Sequence, residues 1–118
     1  MRAWHVDPMK IETITDNDDL LIRRLTLDPG EAMYWHTDAC RRFSVVVSGC
    51  RLTIEYLESA EIVEVDVYPG LADWDEPDPR IHRAINRDRL PYEEVVTFFR
   101  TRPDQEPQPI FSDVRRMT

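Results

Sequence analysis

The sequence predicts an all-β domain, folded as a sandwich or a closed barrel. Three observations carry this expectation. Apolar and polar residues alternate with a period of two in several segments, turn-forming residues interrupt the chain at short intervals, and no window of adequate length shows a 3.6-residue apolar stripe.

The elements follow in order. Residues 10–15 alternate, with Ile11, Thr13 and Thr15 on one face and Glu12 and Ile14 on the other. Asp16-Asn17-Asp18-Asp19 is a turn signal before a β-rich run at residues 20–27. Asp28-Pro29-Gly30 ends that run with Pro and Gly in favourable turn positions. Strands are expected at 33–38 and at 43–48, where Gly49 stops the second. Residues 51–57 set Leu52, Ile54 and Tyr56 against Arg51, Thr53 and Glu55, and residues 61–68 set Val63, Val65 and Val67 against Glu64, Asp66 and Tyr68. After Pro69-Gly70 a short strand is expected at 71–74, then a rigid loop at Glu76-Pro77-Asp78-Pro79. Strands at 81–86 and 93–100 bring the number of candidates to nine. Residues 101–109 hold three prolines and no aliphatic side chain, and read as a linker or a tail lying over the surface. Ile110, Phe111 and Val114 offer a small apolar anchor that could form one helical turn. The expected division is a segment at 1–9, a barrel at 10–100 and a tail at 101–118.

With 118 residues the chain suits one core. Its net charge of -8 argues against a nucleic-acid partner, whose backbone would repel it. No apolar run approaches the roughly 20 residues that span a bilayer, so no membrane partner is expected. The N-terminus lacks a basic-then-apolar leader pattern, which makes the cytoplasm the default location. Cys40 and Cys50 are then expected as free thiols, and no CxxC suggests zinc or redox chemistry. Arg41 and Arg42, and the group Arg80, Arg83, Arg87 and Arg89, either pair with the many carboxylates or attract an anionic small molecule.

Histidine is scarce. His5 stands in a polar segment and is taken as incidental. In Tyr34-Trp35-His36-Thr37-Asp38, strand parity points Tyr34, His36 and Asp38 one way and Trp35 the other. A His and a carboxylate two residues apart can grip one cation from one strand, and His82 could complete a two-His-one-carboxylate triad. The same pattern also suits a histidine simply hydrogen-bonded in a barrel mouth. Trp74 and Tyr56 are expected in the core.

Spacing adds weight. Gly30, His36, Asp38, Arg42 and Gly49 are separated by five, one, three and six residues, and Gly70, Pro77, Pro79, His82 and Asn86 follow later. This resembles the cupin family, whose motifs run G-x5-H-x-H-x(3,4)-E-x6-G and G-x5-P-x-G-x2-H-x3-N. The first spacing is kept in full. The second has one extra residue before Pro77, and Pro79 stands where the family has Gly. The resemblance spans about residues 20–99 and is strongest to small single-domain cupins of mostly unassigned role. It implies a double-stranded β-helix, or jelly roll, of two antiparallel sheets. Small cupins are often dimers and exposed edge strands need covering, so a homodimer is expected.

Carried over by position, the family's metal ligands fall on His36, Asp38, Arg42 and His82. Asp can still ligate. Arg42 cannot, and its fixed charge would repel a cation and hold Asp38 away from one. Two readings follow. One is a non-catalytic binder, or a decayed site, for a small polar and anionic metabolite, with no metal and with Arg42, Tyr34, Ser44 and Asn86 as binding residues. The other is an enzyme such as a dioxygenase or isomerase, with Fe, Mn or Zn on His36, Asp38 and His82.

Overall fold

The computed structural model describes residues 9–111. His5 and Val114, singled out above, lie outside the described residues. Among the described residues nine strands run in order: β1 (Lys10–Asp16), β2 (Leu20–Leu27), β3 (His36–Asp38), β4 (Arg41–Ser48), β5 (Arg51–Tyr56), β6 (Ile62–Asp66), β7 (Ala72–Asp75), β8 (Asp78–Ile85) and β9 (Tyr92–Phe99). They form two antiparallel sheets, a five-stranded one ordered β1-β2-β9-β4-β7 and a four-stranded one ordered β3-β8-β5-β6. Among the described residues there is no helix long and apolar enough to cross a membrane.

The two-residue period decides which side chains enter the space between the sheets. In β9, Tyr92, Glu94, Val96 and Phe98 are buried and the residues between them are only partly covered. Leu25, Leu27, Met33, Val46, Leu52, Val67, Ala84 and Tyr92 belong to one apolar cluster, and Leu21, Cys40, Val96 and Phe98 form a second. Full burial of a side chain such as Phe98 or Leu27 contributes about 1.5–3 kcal/mol each. Gly49 turns β4 into β5 with φ +123°, and a Cβ there would stand 3.0 Å from the Tyr92 ring, so only glycine fits without strain.

Four expectations are corrected. The strand expected at 33–38 starts only at His36, because residues 33–35 leave the ladder after a single bridge from Ala32 to Ile85. The loop expected through Asp78-Pro79 is already the start of β8. Trp74 is half exposed, not core: it lies on the outer face of edge strand β7 beside Phe43 and Phe99, with the Arg41 guanidinium over its ring. Ile110 and Phe111 are extended, not helical, and pair with the backbone around His36. The arginine groups mostly find carboxylates, Arg41 with Glu76, Arg80 with Asp78, and Arg83 and Arg87 with Glu55. The exposed pair Arg41–Glu76 adds little stability. Cys40 is buried, Cys50 is exposed, and both thiols are free.

Candidate functional site

The register of β3 against β8 sets His36 opposite His82. Their ring centroids stand 4.6 Å apart, and Asp38, one residue further along the same face, is buried beside them. Both imidazoles are pinned alike. His36 Nδ1 donates to the Tyr34 carbonyl at 2.8 Å and His82 Nδ1 donates to the Arg80 carbonyl at 2.7 Å. A carbonyl can only accept, so each Nδ1 carries the proton and each neutral ring turns an Nε2 lone pair inward. His82 Nε2 is 2.9 Å from Asp38 Oδ2, and His36 Nε2 is 3.6 Å from Asp38 Oδ1. One ligand atom from each of the three residues lies within 4.8 Å of the others.

A lone pair facing a carboxylate at 2.9 Å needs a positive charge between them. A second proton on His82 or a bound cation can supply it. Burial pulls the His82 pKa down, but its bonds to Asp38 and to the Arg80 carbonyl outweigh that and raise it above 6.5. Burial likewise pushes Asp38 up, and the bond from His82, the Arg42 charge and Gln108 outweigh it, holding the carboxyl at about 2. For His36, farther from the carboxylate, burial outweighs the Tyr34 carbonyl and the Asp38 charge, and its pKa is lowered.

Behind the triad, an interior cavity of about 220 Å³ opens between the sheets. Leu25, Val46, Leu52 and Val67 supply its apolar walls, while Arg42, Ser44, Glu94 and His82 supply polar groups. Arg42 reaches Asp75 Oδ2 at 3.5 Å and Asp38 Oδ2 at 3.9 Å. Its Nε is buried with no hydrogen-bond partner among the described residues, a costly state that an acceptor atom of a ligand would relieve.

The sequence-predicted residues therefore divide. His36, Asp38, Arg42, Ser44 and His82 come together. Tyr34 does not face the interior, because the strand on which its parity was counted begins after it; it is about half exposed on an outer groove. That groove, about 410 Å³, is also lined by His36, Gln108 and apolar side chains such as Met9, Ile11 and Met33. Asn86 is not among the residues lining the cavity, and its amide is fully engaged by backbone groups.

Two polar residues at the site escape the sequence reading. Gln108, in the tail, bonds to the triad. Glu94 is buried on β9, where Tyr92 donates its hydroxyl to Glu94 Oε1 at 2.5 Å. The signal for Glu94 was present: it shares the inward parity of Val96 and Phe98. Burial raises its pKa above the usual 4.5, despite the Tyr92 bond and the Arg42 charge, with Asp38 and Asp75 adding to the rise. A folded pKa above the unfolded one means that stability falls as pH climbs from the unfolded value toward the folded one. Glu94→Gln, which stays neutral and still accepts from Tyr92, should therefore melt above the wild type at pH 8. The gap should shrink below pH ~4, where both side chains are neutral. Melting curves at the two pH values decide this, and an equal gap at both would refute it.

The chain is thus a β-barrel of two antiparallel sheets with two histidines and a carboxylate on one inner wall. No family model matches the chain, and no curated protein matches it. Solved structures do. A cupin domain from Bordetella pertussis Tohama I aligns at TM-score 0.73 and 18% identity, over 81% of this chain and 97% of that one. A conserved protein with a double-stranded β-helix domain from Klebsiella pneumoniae aligns at 0.65 and 15%, over 92% of each chain. The polyketide cyclase RemF from Streptomyces resistomycificus aligns at 0.63 and 16%, over 92% of this chain and 76% of its own. The fold is that of a small cupin domain.

Proposed function

We propose that the barrel is a divalent-metal-binding pocket that presents a small polar ligand to the cation. The observation that carries this is the convergence of His36 Nε2, His82 Nε2 and the Asp38 carboxylate, with both Nδ1 atoms pinned by backbone carbonyls. Backbone partners that fix the tautomer are what ligating histidines use. Two nitrogens and one carboxylate suit Fe, Mn or Zn and leave positions open for a ligand. A bound cation would supply Lewis acidity at those open positions. The chain's own residues then shape the rest. Arg42 and Ser44 offer hydrogen-bond donors to ligand oxygens, and the buried carboxyl of Glu94 adds a further polar group. The apolar walls keep water from the far side.

A second reading rests on the buried Nε of Arg42 without a partner. It makes the cavity a metal-free, non-catalytic binder of a small polar metabolite, with Arg42 and Ser44 as the contacts. Its preference for an anion is weakened by Asp38, Asp75 and Glu94, which surround the guanidinium. Elemental analysis of untagged protein, followed by calorimetry with Mn²⁺ and Zn²⁺, separates the two. The metal reading expects binding near one equivalent, and a loss of at least about a hundredfold in His36→Ala and in His82→Ala, each of which removes one of three protein ligands. Wild-type protein without metal, and without binding at millimolar Zn²⁺, would leave the second reading. A homodimer belongs to the same proposal, and sedimentation showing only a 14.0 kDa species would remove it.

A further inference from the structure

After β9 the chain turns and comes back along β3. Ala39 N donates to the Pro107 carbonyl at 2.8 Å, Thr37 N to that of Pro109 at 3.2 Å, and Phe111 N to that of Trp35 at 2.9 Å. Pro107 is fully buried, and Gln105 is buried as well, its side-chain oxygen accepting from Thr101 N and Oγ1. Residues 107–111 are thus held as an added strand on the free edge of β3. This register delivers Gln108 to the triad. Its Nε2 lies 3.0 Å from Asp38 Oδ1 and 3.3 Å from His36 Nε2.

A primary amide has two chemically opposite ends, an NH₂ that only donates and an oxygen that only accepts. His36 Nε2 and Asp38 Oδ1 are both acceptors, so without a cation the NH₂ end must face them. Once a cation takes those two lone pairs, a donor group there is repelled and a lone pair is wanted. A half-turn of the amide exchanges the two ends. Gln108 Oε1 makes no hydrogen bond to the described residues, so the exchange breaks none on that side. We propose that the tail supplies Gln108 Oε1 as a fourth protein ligand to the metal, in place of the ligand position occupied by Arg42. This rests on the metal reading above. It would make the tail part of the site, with metal binding and docking of residues 107–111 supporting one another.

The test compares wild type, Gln108→Leu and Gln108→Glu in full-length protein, by calorimetry with Mn²⁺ and Zn²⁺ and by the visible spectrum of the Co²⁺-loaded forms. Leucine should weaken binding by tenfold or more and change the Co²⁺ spectrum. Glutamate, which keeps a ligating oxygen and adds charge, should strengthen binding by tenfold or more. Melting of the metal-free variants reports whether each still folds, and the glutamate variant carries the decision if the leucine variant does not. Equal or tighter binding by Gln108→Leu, with an unchanged spectrum, would overturn the proposal and make the amide a plug that metal must displace. Absence of binding by the wild type as well would remove the metal reading, and the ligand role with it.

Discussion

Replacing Arg42 by glutamate is expected to raise the affinity of the His36–Asp38–His82 cluster for Mn²⁺ or Zn²⁺ by about a hundredfold. Arg42 lies 3.9 Å from Asp38 Oδ2, close enough to compete for the carboxylate and to repel a cation bound to it. Two unit charges about 5 Å apart interact by ~3 kcal/mol at an effective dielectric near 20. Exchanging a positive for a negative charge doubles that in principle, and discounting half for relaxation leaves ~3 kcal/mol, near a hundredfold. Arg42→Met, which removes the repulsion without adding a carboxylate, should fall between. The same substitution has an opposite effect on the metal-free barrel. Asp38, Asp75 and Glu94 would face a new carboxylate without their shared counter-charge, so the metal-free variant should melt well below wild type. Calorimetry and melting curves with and without metal measure both effects. An unchanged affinity would mean that the guanidinium takes no part in the electrostatics of the cluster.

Asn86→Ala is expected to cost about 3–4 kcal/mol of stability, a fall in Tm of roughly 10–20 °C, and to leave metal affinity unchanged. Asn86 is fully buried. Its Nδ2 donates to the Leu27 carbonyl at 2.9 Å and to the Leu90 carbonyl at 2.8 Å, and its Oδ1 accepts from Asp88 N at 2.9 Å. Its backbone N–H donates to Glu31 O and its carbonyl accepts from Gly30 N, so one residue ties the turn after β2 to the loop between β8 and β9. Alanine leaves the two carbonyls and the Asp88 N–H without their partner. Urea titration gives the stability change. A variant of wild-type stability with impaired ligand or metal binding would place Asn86 in the site after all.

Much of the architecture is legible in the chain because a half-buried strand must alternate. The strands at Arg51–Tyr56, Ile62–Asp66 and Tyr92–Phe99 follow directly from that pattern, and glycines at 30, 49 and 70 mark turns that adopt positive φ. The spacing singles out four residues that the fold brings together, His36, Asp38 and His82 on β3 and β8 of one sheet and Arg42 on β4 of the other. The reading failed where residues leave the ladder or sit at its border. Tyr34 lost its parity because the strand starts two residues later, and Trp74 is exposed because it lies on the outer face of β7, whose Asp73 and Asp75 line the cavity.

The sequence by itself determined the all-β class, the positions of the turns and the candidate donors of the triad, since each depends on residue type and on spacing along one strand. The tertiary structure alone decided what those donors face. The Nε2 lone pairs point inward only because carbonyls at 34 and 80 hold the other ring nitrogens. Arg42 has Asp75 as a partner only because β7 lies beside β4. Gln108 reaches His36 across 72 positions of sequence only because the tail pairs with β3. Period and spacing describe one strand at a time, whereas a hydrogen bond or a ligand set depends on distances between strands, which arise when the sheets pack.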